Sequence, residues 1–149
     1  MTDCYFCQNG KKETRDHIDD LVGRYGFAIM AIGGHPSYCY TVGMWDRGLP
    51  EFITLGLSPR QGHEMLTLLV HHVNSFGLIA LDHPFDDIST MPCKLVPVAE
   101  RHRGYFRAAL DHTQTHGNMV QLMWPDREGV FPDQANFSLE FIARQPSLR

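Results

Sequence analysis

Ile18, Leu21, Val22 and Tyr25 recur at i, i+3, i+4 and i+7 along "ETRDHIDDLVGRYG", the spacing of one apolar stripe on an amphipathic helix. Thr14 stands where an N-cap belongs and Gly26 where a helix stops, so a first helix is predicted between them. The run "FAIMAI" is apolar throughout, and "GGHPS" breaks it because two glycines and a proline do not comfortably continue a strand. "YCYTVGM" and "EFITLGL" are rich in β-formers and are joined by "WDRGLP", a pattern that predicts a long antiparallel hairpin.

Ser58 and Pro59 occupy N-cap and first-turn positions, and "RQGHEMLTLLVHHVNSFG" continues a helix as far as Gly77. Met65, Leu68, Leu69, Val73 and Phe76 form its expected buried stripe, with His72 inside the stripe and His71 turned to solvent. "LIALDHPFDDISTMP" is irregular and rich in turn residues. "CKLVPV" reads as a strand, "ERHRGYFRAALDHTQTHG" as a third helix, and "MVQLMW" as another strand. From "PDREGVFPDQANF" onward a packed loop and a short tail are expected. The order is therefore helix, three strands, helix, strand, helix, strand. The hairpin forces some antiparallel pairing, which favours an α+β fold with a mixed or mainly antiparallel sheet over a doubly wound one. About three helices on one face would make a two-layer domain.

Composition narrows the class. The 149 residues, 43% hydrophobic and 20% charged, suit one soluble domain spanning 1–149, which can bury roughly 70% of the surface its unfolded chain exposes. Within it, 1–13 is a Cys-bearing N-terminal segment and 133–149 a C-terminal tail. No run approaches a membrane span or a basic-then-apolar leader. Four cysteines in a chain of this size make no dense disulfide framework, so a cytoplasmic setting is expected, with Cys39 and Cys93 packed as small hydrophobes. The formal net charge is −4 with scattered cations, which excludes the concentrated basic face of a nucleic-acid binder. Nine histidines are the unusual count. Half-titrated near their ordinary pKa of about 6.5, they would bring the net charge close to zero, so solubility is expected to dip between about pH 6 and 6.5.

Cys4 and Cys7 form a Cys-x-x-Cys pair, half of what a tetrahedral structural Zn²⁺ requires. His112 and His116, at i,i+4 on the expected third helix, are the best complement and would complete a Cys₂His₂ set. The alternative is two thiols on a solvated terminus with no metal. A thioredoxin-type role is disfavoured because Asn9-Gly10 would interrupt the helix such a pair needs. Asp16, His17, Asp19 and Asp20 read as the solvated acidic start of the first helix rather than a ligand cluster.

Polar residues inside apolar, strand-like surroundings are the other candidates: Tyr40, Thr41, Glu51, Gln121, Trp124 and Asp126. If the strand ends that carry them converge, they would line a concave ligand site with aromatic walls. The alternative is that alternation places each on a wet sheet face, with Asp126 capping the turn "PDREG".

"YTVGMWDRGLPEFITLGL" followed by "QLMWPDREGVFP" resembles the bacterial family of the domain of unknown function 4262. The shared positions are Tyr40, Thr41, Gly43, Pro50, Glu51, Gly56, Leu57, Gln121, Trp124, Pro125, Asp126, Gly129, Phe131 and Pro132. Met44 and Phe52 stand where that pattern has leucine, and the resemblance runs from about Tyr25 to Pro132. It implies no activity. The chain carries no His-Glu-x-x-His, no Gly-x-Ser-x-Gly and no glycine-rich phosphate loop. The function expected is thus a non-catalytic binding module for a partner protein or small ligand, regulatory or antitoxin-like. The alternative is a small-molecule enzyme, such as a metal-assisted hydrolase, with Glu51 or Asp126 as general base.

Overall fold

The computed structural model describes residues 5–149, with side chains described from Arg15 onward. Helix α1 (Tyr5–Tyr25) starts earlier than the periodicity predicts and stays helical through Asn9 and Gly10, which makes Thr14 an interior residue rather than its N-cap. A glycine inside a helix costs only about 1 kcal/mol relative to alanine, too little to break a helix that continues on both sides. Ile18, Leu21 and Val22 pack into the core, while Tyr25 at the end of the stripe stays exposed.

Strands β1 (Ala28–Ile32), β2 (Tyr38–Val42) and β3 (Glu51–Leu55) form an antiparallel meander, as the hydrophobic runs and the Gly/Pro loop between them require. Helix α2 (Pro59–Phe76) has the expected Ser58 N-cap, closed by Gln61 into a capping box, and ends at Gly77. Its buried face differs from the expected one. Leu66, Leu69, Val70 and Val73 are buried, whereas Leu68 and Phe76 are exposed. Both stripes satisfy helical spacing, and Gly62 selects between them: it lies so close to β2 that a Cβ there would come within 2.6 Å of Cys39 Sγ.

Strand β4 (Lys94–Pro97) is followed by a 3₁₀ segment, Glu100–Phe106, and by α3 (Arg107–His112), shorter than the single helix expected. Strand β5 (Met119–Met123) completes a mixed sheet in the order β1-β2-β3-β5-β4, with β3 and β5 parallel and the other neighbours antiparallel. A final turn of helix, α4 (Leu139–Ile142), precedes the C-terminus.

Helices cover both faces of this sheet, so three layers form rather than two. Cys39, Phe52, Val120 and Leu122 face α2. Tyr40, Val42, Ile53 and Leu55 face a second cluster containing Ile18 of α1 and Ala108 and Ala109 of α3. Every residue of β3 and β5 is buried, the pattern of strands covered on both sides. Residues 133–149 also join the core, with Phe137, Gln145 and Leu148 buried. Among the described residues no helix is long and apolar enough to cross a membrane.

Candidate functional site

The β2–β3 connection builds itself around a buried carboxylate. Glu51 opens β3 with no solvent exposure. Its oxygens accept the Thr41 hydroxyl at 2.7 Å and the backbone N–H groups of Gly43, Met44 and Trp45, each at 3.1 Å. Burial pushes the carboxyl up to about 7, against the opposing pull of Thr41 and the N–H groups of Trp45, Met44 and Gly43. Gly43 is required twice over: its φ is +102°, and a Cβ would meet Val22 of α1 at 2.8 Å. The carboxylate thereby gathers consecutive N–H groups at the start of the 3₁₀ turn Trp45–Arg47, where an anion is favoured.

That anchoring fixes Trp45, whose indole N–H donates to Asn118 O at 2.8 Å just before β5. His116 lies on the indole with ring centroids 5.2 Å apart, and Gly117 allows the approach because a Cβ would stand 3.0 Å from the indole. Trp45 and His116 form one wall of a groove of about 560 Å³ outside the amino ends of β3 and β5. Phe52, Leu95 and Val120 line it from the sheet, and Leu78, Ile79 and Leu81 from the segment after α2. Leu78 and Leu81 remain 59% and 41% exposed, so this segment is apolar and uncovered. Glu100, on the rim, is held by Arg103 through bonds of 2.6–2.8 Å.

His112 ties three elements together. Its Nδ1 meets Asp19 of α1 at 2.6 Å and its Nε2 meets Asp46 of the 3₁₀ turn at 2.8 Å. Burial works against the charged ring, but the hydrogen bonds and charges of the two carboxylates prevail and raise its pKa. Because α3 ends at His112, His116 lies in the following loop and the two histidines do not share a helical face. Cys4 lies outside the described residues, as does the Cys7 side chain, so the thiol half of the proposed Cys₂His₂ set has no described geometry. Among the described residues no three His, Cys, Asp or Glu side chains gather as a metal site.

The remaining candidates lie along and beyond the same strands, each committed to a bond. Ile53 pairs with both Tyr40 and Gln121, so β2, β3 and β5 are side by side as the two sequence motifs suggest. Tyr40 Oη accepts the Ala108 N–H. Gln121 donates to Pro146 O and accepts from the Leu148 N–H. At the far end of β5 the Trp124 indole N–H donates to Leu55 O, and Gln145 bonds both the N–H and the carbonyl of Trp124. Asp126 accepts the N–H groups of Glu128, Val130 and Ser138. Burial opposes the charge there, yet those backbone donors hold its carboxyl below the usual value. Tyr40, Thr41, Glu51 and Gln121 thus lie in the sheet and Trp124 and Asp126 just beyond β5, each with its polar group bonded inside the protein.

Of the groove residues, only His116 was among the candidates, and there as a metal ligand. The apolar run Leu78–Leu81 directly after the helix stop at Gly77, with no strand or helix to bury it, is the signal that marks its wall.

No curated protein and no solved structure matches the chain. The sequence profile described as "Domain of unknown function (DUF4262)" matches residues 21–138, a span that holds the Glu51 anchor, Trp45, His116 and the Asp126 loop. The chain belongs to the DUF4262 family.

Proposed function

We propose that this domain is a non-catalytic binding module that holds a small, largely apolar ligand in the groove between Trp45 and Leu78. The observation that carries this is the combination of an uncovered apolar groove of about 560 Å³ with polar strand-end side chains that are already bonded inside the protein. Ligand sites commonly occupy about 300–1,000 Å³ and are mostly apolar with a few polar groups. Cys39 and Cys93, both buried and free, have thiols pushed up to about 11 by burial. Such inert thiols suit a reducing, cytoplasmic setting.

The observation favouring an enzyme is Glu51, whose carboxyl near 7 has the value a general base needs. Its lone pairs are taken by Thr41 and the 43–45 backbone, and it stands behind Trp45 rather than in the groove.

Titration with uncharged aromatic fragments, followed by NMR of the indole N–H signals, tests the binding role. The Trp45 signal should move while that of Trp124, buried against Leu55 O, stays. Leu78→Asp should abolish the shift with the fold intact, since Leu78 is exposed. No movement of any groove signal at millimolar fragment would overturn the proposal.

A further inference from the structure

His116 brings a polar ring to the lining of the groove. Its Nε2 lies 2.8 Å from Thr113 O and 3.1 Å from Leu110 O. Carbonyl oxygens only accept, so Nε2 carries the hydrogen, and Nδ1 of the neutral ring is left as an acceptor. That atom has no hydrogen-bond partner among the described residues. The indole N–H of Trp45 is already spent on Asn118 O. Glu100 is compensated by Arg103, so the rim offers no net charge to a charged ligand.

Building on the groove's role as a binding site, we infer that it recognises an uncharged planar ligand carrying one N–H or O–H donor, which His116 Nδ1 accepts while the apolar body lies between the Trp45 wall and Leu78 and Leu81. Thr115 and Asn118, also lining the groove, provide further polar contacts at the same end. An apolar pocket discriminates weakly between bodies of similar shape, whereas a hydrogen-bonding group placed in it rejects a ligand lacking the matching donor.

Indole and 1-methylindole, which differ in a single donor, are the probes. Each is titrated into the full chain and into His116→Phe, which keeps an aromatic ring on Trp45 but has no acceptor. Binding is read from groove NMR signals. Indole should bind the native chain at least tenfold more tightly than 1-methylindole, and His116→Phe should remove the difference. Equal binding of both probes to the native chain, or a preference that persists in His116→Phe, overturns the assignment to His116 and leaves the groove as a binding site. Absence of binding by either probe, with Leu78→Asp indistinguishable from the native chain, overturns the groove itself. A His116→Gln variant, folded by circular dichroism, is the second check: its amide oxygen can accept, and it should recover part of the preference.

Discussion

Thr41 and Glu51 are joined by a two-way bridge: the Thr41 hydroxyl donates to Glu51 Oε1 at 2.7 Å while its oxygen accepts the Phe52 N–H at 2.8 Å. One hydroxyl therefore completes the hairpin ladder and helps satisfy a buried carboxylate. Thr41→Val keeps the shape and removes both bonds, leaving a buried donor and a buried acceptor short of a partner. Each such orphan costs about 1–3 kcal/mol. Urea unfolding should show the valine variant destabilised by at least about 2 kcal/mol, with Thr41→Ser much closer to native. A native-like midpoint for the valine variant would mean that the bridge contributes nothing net.

Glu51 makes stability depend on pH. Its carboxyl is raised from 4.5 to about 7, so between those values the folded state holds a proton that the unfolded state has lost. The contribution is fully present below about 4.5 and disappears as pH rises through about 7. Comparing the native chain with Glu51→Gln at pH 5 and pH 8 isolates it. The native chain should lose stability relative to the variant on going to pH 8, on the order of 3 kcal/mol. A pH-independent difference would show that the four donors keep Glu51 ionised throughout, outweighing burial.

His112 adds a second dependence through contacts that Glu51 does not share. With its pKa raised by Asp19 and Asp46 against the effect of burial, its stabilising contribution is complete below the ordinary 6.5 and fades as pH climbs past the raised value. His112→Gln should therefore cost more at pH 6 than at pH 9. An NMR titration of the ring provides the direct measure. Asp46→Asn, which leaves Asp19 in place, should move the midpoint downward, and an unchanged midpoint would dismiss Asp46 as its partner.

The hairpin and the α2 cap were legible because each is decided locally, by the Gly/Pro loop before Glu51 and by the Ser58-Pro59 start. The α2 face was not. Leu69 and Val73 belong to both possible faces, but Leu66 and Val70 compete with Met65, Leu68 and Phe76 at equal spacing, and only the close approach of Gly62 to Cys39, between two separate elements, settles the choice. Likewise, Thr41 and Glu51 could be marked as unusual polar residues in strands, but the bonds from the 43–45 backbone to Glu51 depend on a loop conformation. Trp45 and His116 are 71 positions apart and meet only because β3 and β5 run parallel.

Asp126 organises the loop after β5, where its two oxygens accept from Glu128, Val130 and Ser138. Asp126→Ala strands those N–H groups, and amide exchange at the three positions should accelerate before global stability is lost. Because the carboxyl is lowered, its contribution holds above the ordinary carboxylate value and is lost only as pH falls through the depressed one. Protection at Val130 and Ser138 should thus persist at pH 5. Loss of protection there in the native chain between pH 7 and 5 would contradict this role.

The last residues act as a core element. Leu148 is 1% exposed within the α1/α3 cluster, its N–H bonds Gln121 Oε1, and its carbonyl accepts from Ala99. A tail docked in this way should resist carboxypeptidase in the native state. Leu148→Ala removes a buried side chain, a change that typically costs about 2–5 kcal/mol, and it loosens the backbone that satisfies Gln121. Substituting alanine at Ser147, whose hydroxyl accepts the exposed Arg149 N–H, should cost far less. Thermal denaturation of the two variants separates the cases. If Leu148→Ala melts within a degree or two of Ser147→Ala, the C-terminal segment rests on the sheet without stabilising it, and Gln121 must find water instead.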